Sequence, residues 1–251
     1  MLAVALALAL VGGWELFVDL GGVERFLLPA PHEIATALYD DRSLLWHNLL
    51  VTGREVLLGV LVALAAGALL ALLIHFSRTL RRAVYPLLVA SQTIPIILIA
   101  PLLVAWFGYD IGPKLLIVAL VCFFPIVVNA LDGLAGVDPE LLKLMRTLDA
   151  SRWQAFRRVE LPSALPALFS GTKIAVAVAV IGAVFAEQAG SSDGLGHLML
   201  QALPQLETAR AWAAVVVLSA MAIALFGALA LAERRALPWV HRTRGGGSWP
   251  A

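Results

Sequence analysis

Side chains able to do chemistry are few in this 251-residue sequence, and most of them fall in one stretch. From Val137 to Pro166 the chain reads VDPELLKLMRTLDASRWQAFRRVELPSALP, a charged island between long apolar runs. Lys143, Arg146, Arg152, Arg157 and Arg158 are free there to face water or a partner, while Leu141, Met145, Leu148, Trp153, Phe156 and Val159 are spaced to line apolar helix faces. That mixture suits docking rather than bond making. Outside the island, Ser91, Gln92 and Thr93 stand beside Pro95, and Asn129 and Glu187 interrupt apolar runs. No catalytic constellation emerges. A Gly-x-x-x-x-Gly-Lys-Ser/Thr phosphate loop is missing from the sequence, so ATP is not bound in that manner. His32, His47, His75, His197 and His241 are scattered without metal-ligand spacing, and His75, near a span end, reads as an interfacial residue. The single Cys122 excludes a disulfide framework or a thiolate metal site within one chain.

The elements holding the island can be read from its caps. Asp138 is a good N-cap and Pro139 suits the first helical position, so a helix should run from Pro139 to about Leu148. Ser151 with Gln154 forms a capping box, and Pro162 should close the helix it opens, giving roughly Arg152 to Leu161.

Composition sets the class independently. Hydrophobic residues make up 61% and charged residues 14%, with mean hydropathy +0.90, far from soluble averages of about 45–50% and 25%. The chain is a membrane protein with room for about six spans of roughly 20 residues and for no soluble domain beside them. A net charge of +1 gives no steering toward nucleic acid.

Taken in order, the expected spans are Leu2 to Leu20, Glu55 to Phe76, Arg82 to Phe107, Pro113 to Leu131, Pro166 to Ala186 and Ala209 to Leu231. The first lacks the basic region and cleavage site of a signal peptide. A mixed loop over 21–50 should hold a helix from Pro31 toward Tyr39. Gly59, Ala63, Gly67 and Ala71 recur every fourth residue, as do Gly171, Ala175, Ala179 and Ala183, and such stripes let helices approach closely in lipid. Glu187 continues the second stripe into the bundle, to pair with a polar group on another span or to line a route. In the third span Pro95 and Pro101 free the carbonyls of Ser91 and Ile97, and such backbone suits a helix kink, a wet pathway or both. Lys and Arg gather in the 78–82 segment, the island and the tail, so these should face the cytoplasm together with both termini.

The run MRTLDASRWQAFRRVELPSALP resembles the cytoplasmic coupling loop of binding-protein-dependent ABC importer permeases, with Val159 at the family's Ile position and Leu161-Pro162 at its Leu-Pro. Lys143, Leu144 and Met145 stand where Glu-Ala-Ala is usual, and Asp149 where Gly is usual. Asp is one of the few other residues that tolerate a positive φ. FLLPAPHEIATAL (26–38), YPLLVASQTIPIILIAPLLVAWFG (85–108), FFPIVVNALDGL (123–134) and GLGHLML (194–200) are similar to the nitrate, sulfonate, taurine and pyrimidine-precursor branch.

The resemblance implies an all-α membrane protein of the type I ABC importer permease kind, one transmembrane domain over 1–251, with a coupling loop at about 133–165 and a basic tail from about 233. It implies a bacterial inner-membrane location and, as partners, an ATPase subunit dimer, an extracytoplasmic solute-binding protein and a second copy of the permease. This chain would hold no cofactor, ATP and Mg2+ being bound by the ATPase. Leu141, Met145, Leu148, Asp149, Ser151, Arg152, Trp153, Phe156, Arg157, Leu161 and Pro162 would meet the ATPase, and Ser91, Gln92, Thr93, Pro95, Asn129 and Glu187 would line the pathway. The substrate side leans to pyrimidine precursors or riboflavin, then sulfonate, taurine or nitrate. The contrasting class, a channel or ion-coupled carrier without ATPases, calls for intramembrane charges, of which the sequence offers almost none.

Overall fold

A computed structural model describes residues 2–240. His241, Arg242, Arg244 and the GGGSWPA end of the basic tail lie outside the described residues. Among the described residues every regular element is helical. In order they are α1 (Leu2–Leu20), α2 (Pro31–Asp40), α3 (Arg42–Phe76), α4 (Arg78–Ser91), α5 (Ile96–Phe107), α6 (Ile111–Ala135), α7 (Pro139–Thr147), α8 (Arg152–Ala155), a π-turn (Phe156–Glu160), α9 (Leu161–Gly190), α10 (Leu195–Ala202) and α11 (Thr208–Ala236).

The centre of the bundle is α6, flanked by α3 and α9, and small residues set how closely the three approach. A Cβ added at Gly59 would meet Val118 Cγ1 at 2.5 Å, and one at Gly67 would meet Ile126 Cγ2 at 2.9 Å, so the first small-residue stripe is the face of α3 against α6. The second stripe does the same for α9: Ala175, Ala179 and Ala183 are fully enclosed, and a Cβ at Gly171 would fall 2.6 Å from Asn129 Cβ. Cys122 is buried at this seam and its thiol donates to the Ala175 carbonyl at 3.3 Å. An ion pair between Lys173 and Glu233 links α9 to α11.

Four helices are long and apolar enough to cross a membrane among the described residues: α3, α6, α11, and α9 with the segment leading into it. The bent pair α4 and α5 makes a fifth if it counts as one span. Over the residues expected for the first span stands α1, a 19-residue helix. Two expected boundaries are corrected. Helix α3 begins at Arg42, taking in nearly ten residues assigned to the preceding loop, because Leu45, Asn48 and Thr52 all face the core at helical spacing. The third span, expected as one kinked helix, is broken at 92–95, where α4 and α5 meet at 99°. Pro95 drives the break: its ring keeps Ile94 out of the helical region, and Pro95 itself becomes the N-cap of α5 with ψ 120°.

Candidate functional site

The charged loop is built from its caps. The Asp138 carboxylate accepts from Glu140 N at 2.8 Å and Pro139 fills the first turn of α7. Leu148 closes that helix, and Asp149 turns the chain with φ 51°, the conformation its place at the usual glycine position calls for. The reversal is sealed by Ala150 N donating to the Met145 carbonyl at 3.0 Å. Ser151 then opens the next helix with the expected capping box: Gln154 N donates to Ser151 Oγ at 3.3 Å, and Ser151 N to Gln154 Oε1 at 2.8 Å.

Pro162, expected to end that helix, does not end it. A proline at 162 has no N–H for the Arg158 carbonyl, and the chain responds by widening one turn: Leu161 N donates to the Phe156 carbonyl five residues back. Helix direction is kept through the π-turn, so Arg152–Gly190 forms one 39-residue rod. Leu161 and Pro162 lie half-buried at the first turn of α9.

The two aromatic residues of the loop part company. Trp153 is 61% exposed, whereas Phe156 is 3% exposed. Phe156 packs with Leu134 and Ala164, and its ring lies 5.1 Å from Phe76. The expected shared docking face is therefore corrected: the spacing shows amphipathicity, but the chain's own α3 and α6 cover half of it. What is left uncovered is Leu141, Leu144, Leu148 (68% exposed) and Trp153, with Met145 half-buried and Arg146, Arg152, Arg157 and Arg158 around them. His75 is also placed differently from its reading as an interfacial residue, since its Nε2 lies 2.8 Å from Glu160 Oε2.

Ser91, Gln92, Thr93 and Pro95 form the exposed elbow between α4 and α5, beside an open groove lined by Leu88, Ile96, Ile99 and Phe123. Ser91 and Thr93 satisfy their hydroxyls on the carbonyls of Leu88 and Ala90, at 2.7 and 2.8 Å. Asn129 stands apart from them at the α6–α9 seam and donates to the Pro125 carbonyl at 2.8 Å.

Glu187 is fully buried at the end of the bundle opposite the charged loop. The Thr52 hydroxyl donates to its Oε1 at 2.6 Å, while Gly196 N and His197 N converge on its Oε2 at 2.6 and 3.4 Å. Glu187 thus caps the N-terminus of α10. Gly194 is required here twice over, by φ 117° and because a Cβ would fall 2.3 Å from the Glu187 carboxyl carbon. Asn48 Oδ1 accepts from Gly194 N at 2.6 Å, and Thr52 Oγ1 from Leu195 N at 2.9 Å. Beside them Lys114 Nζ donates to Glu55 Oε1 at 3.0 Å and to Ser191 Oγ at 2.6 Å. At the rim, the Ser192 hydroxyl and then His47 hold Asp193 below the usual carboxylate range.

Sequence reasoning missed Asn48, Thr52, Glu55 and Lys114. Buried charges are present after all, but they are paired with each other and with backbone N–H groups. The available signal was Asn48, Thr52 and Glu55 at i, i+4 and i+7, a polar stripe on one helix face. Histidine spacing missed a further cluster, since Glu15, Asp19 and His32 place ligand atoms within 4.8 Å of one another. There the His32 ring and backbone N–H both meet the Glu15 carboxylate.

The family model described as binding-protein-dependent transport system inner membrane component matches residues 59–237, well over half of the chain. The formylaminopyrimidine transport permease protein ThiX of Halalkalibacterium halodurans is 39% identical over 90% of this chain and 90% of its own length. The riboflavin transport system permease protein RibX of Chloroflexus aurantiacus is 35% identical over 95% of this chain and 89% of its own. One chain of the crystal structure of an amino acid ABC transporter with histidines shares the fold, with a TM-score of 0.61 and 18% identity over 80% of this chain and 97% of that one. The chain belongs to the binding-protein-dependent inner membrane components, the permease subunits of ABC importers, and is a transport component rather than an enzyme.

Proposed function

We propose that two copies of this chain form the translocation pathway for a small heteroaromatic solute of the pyrimidine-precursor or riboflavin kind, driven by a separate ATPase dimer. The observation that carries the reading is the charged loop, where Leu141, Leu144, Leu148 and Trp153 stand uncovered among four arginines. Apolar side chains left open in the most polar segment of the chain fit a docking surface. ATP and its Mg2+ would bind on the partner, and ATP-driven closure there would displace the loop and rock the helices between outward and inward access. Positive charge near the loop orients it and both termini toward the cytoplasm, leaving the Glu187 end for a solute-binding protein.

The elbow of Ser91, Gln92, Thr93 and Pro95 supplies polar groups where a second copy or a wet route would meet α5. Glu187 is closed off inside one chain, so its part is to hold the start of α10 rather than to face solute. The leaning in substrate rests on the relatives whose names specify formylaminopyrimidine and riboflavin.

Reconstitution in vesicles tests the reading. The chain alone should hydrolyse no ATP. With its ATPase and binding protein it should take up labelled formylaminopyrimidine or riboflavin in preference to taurine. ATP hydrolysis by the isolated chain would overturn the permease assignment, and preferred uptake of taurine would overturn the substrate.

A further inference from the structure

Resting on that reading, and going beyond it, we infer that His75 and Glu160 are positioning residues that yoke α3 to α9 at the π-turn, so that both helices follow the charged loop as one body. A π-turn is rare, and it recurs where helices carry function. This one begins at Phe156 and ends at Glu160, and the C-terminus of α3 holds it at both ends. At the far end the His75 and Glu160 side chains meet at 2.8 Å, only 16% and 13% exposed although 85 residues apart in sequence. At the near end the buried Phe156 ring lies 6.0 Å from the His75 ring and 5.1 Å from that of Phe76.

The same joint reaches the docking face. Trp153 is exposed, yet its ring stacks on Phe156 at 5.4 Å, and the Arg152 guanidinium lies 5.4 Å from the centre of the Phe76 ring. A push on Trp153 therefore arrives at Phe156, which bears on α3 through Phe76 and begins the turn that feeds α9. Packed aromatic rings transmit displacement in compression. In tension such rings hold only through non-directional dispersion, and the hydrogen-bond contact between His75 and Glu160 adds a directional tie. The small-residue seams bind α3 and α9 mainly to α6, so at this end the yoke is the polar tie between them.

The test uses the complex with its ATPase in lipid, with spin labels on Leu73 of α3 and Ser163 of α9, both exposed. The label distance is read without nucleotide and after trapping with ADP and vanadate. In the parent the distance should stay constant while the loop moves. In His75→Ala or Glu160→Ala it should widen by several ångströms on trapping, with the ATPase still bound and uptake per ATP lowered about tenfold, the size of one coupled buried contact. The double alanine variant should be no worse than either single one. Exchange of the pair, His75→Glu with Glu160→His, should restore the constant distance. Should an alanine variant fail to assemble, Glu160→Gln keeps an acceptor for the imidazole and should show an intermediate widening. A parent distance that changes on trapping, a variant distance that does not, or losses that multiply in the double variant would each overturn the yoke and leave the permease reading standing. A parent loop that recruits no ATPase would instead overturn the permease reading, and the yoke with it.

Discussion

Asp149 sets the angle between the two halves of the charged loop through its backbone alone. At φ 51° an L side chain pays a steric penalty that glycine does not, and a β-branched one pays most. Asp149→Gly should therefore raise the stability of the purified protein by up to about 1 kcal/mol, while Asp149→Val should lower it by about 1–2 kcal/mol, read as opposite shifts in thermal midpoint. Equal midpoints for Gly and Val would show that the turn relaxes when substituted. This residue was legible because its signal is local: a helix stop, a polar turn residue and a cap within four positions. Glu187 was legible only by half. Its place at the end of a small-residue stripe pointed it into the bundle, yet its partners Thr52 and Gly196 lie 135 residues away and in the first turn of α10. No spacing rule joins positions that only the tertiary fold brings together.

At the scale of elements, the helices and seams were legible because 3.6-residue periodicity and fourth-residue Gly and Ala are direct consequences of helix geometry. The prolines were not. Pro95 breaks a span by 99°, whereas Pro162 costs one widened turn and leaves a 39-residue rod. The difference is in the surroundings: Pro162 follows a turn tied down by Phe156 and Glu160, while residues 91–95 are exposed and bonded only to near neighbours in the chain. Periodicity also treated Trp153 and Phe156 as equivalents, and burial separates them. Phe156→Ala should destabilise the purified chain by about 3–5 kcal/mol through the cavity it leaves, before any partner is involved. Trp153→Ala should leave the thermal midpoint near that of the parent and abolish copurification of the ATPase. Reversal of the two phenotypes would place the docking surface on the other face of the loop.

For the molecule as a whole, the polar groups gather at the two ends of an apolar bundle, and α3 and α9 run between them. The rod from Arg152 to Gly190 is about 57 Å long at 1.5 Å per residue, enough to cross the hydrocarbon core. One end carries the charged loop and the π-turn. The other end carries Glu187, which with Thr52 and Asn48 fastens Gly194 and the first turn of α10 to α3. A rod fixed at both ends should make the loop state at one end depend on the clasp at the other. Glu187→Gln probes this dependence without changing size. Its amide must either present an N–H to the converging donors Gly196 N and His197 N, or turn over and deprive the Thr52 hydroxyl of its acceptor. Either choice leaves a buried donor unmet, at a cost of about 1–3 kcal/mol. The variant should keep its ATPase and its basal hydrolysis, and lose much of the stimulation by solute-loaded binding protein. Stimulation equal to that of the parent would mean that the clasp only folds its own loop and that the two ends of the rod work independently.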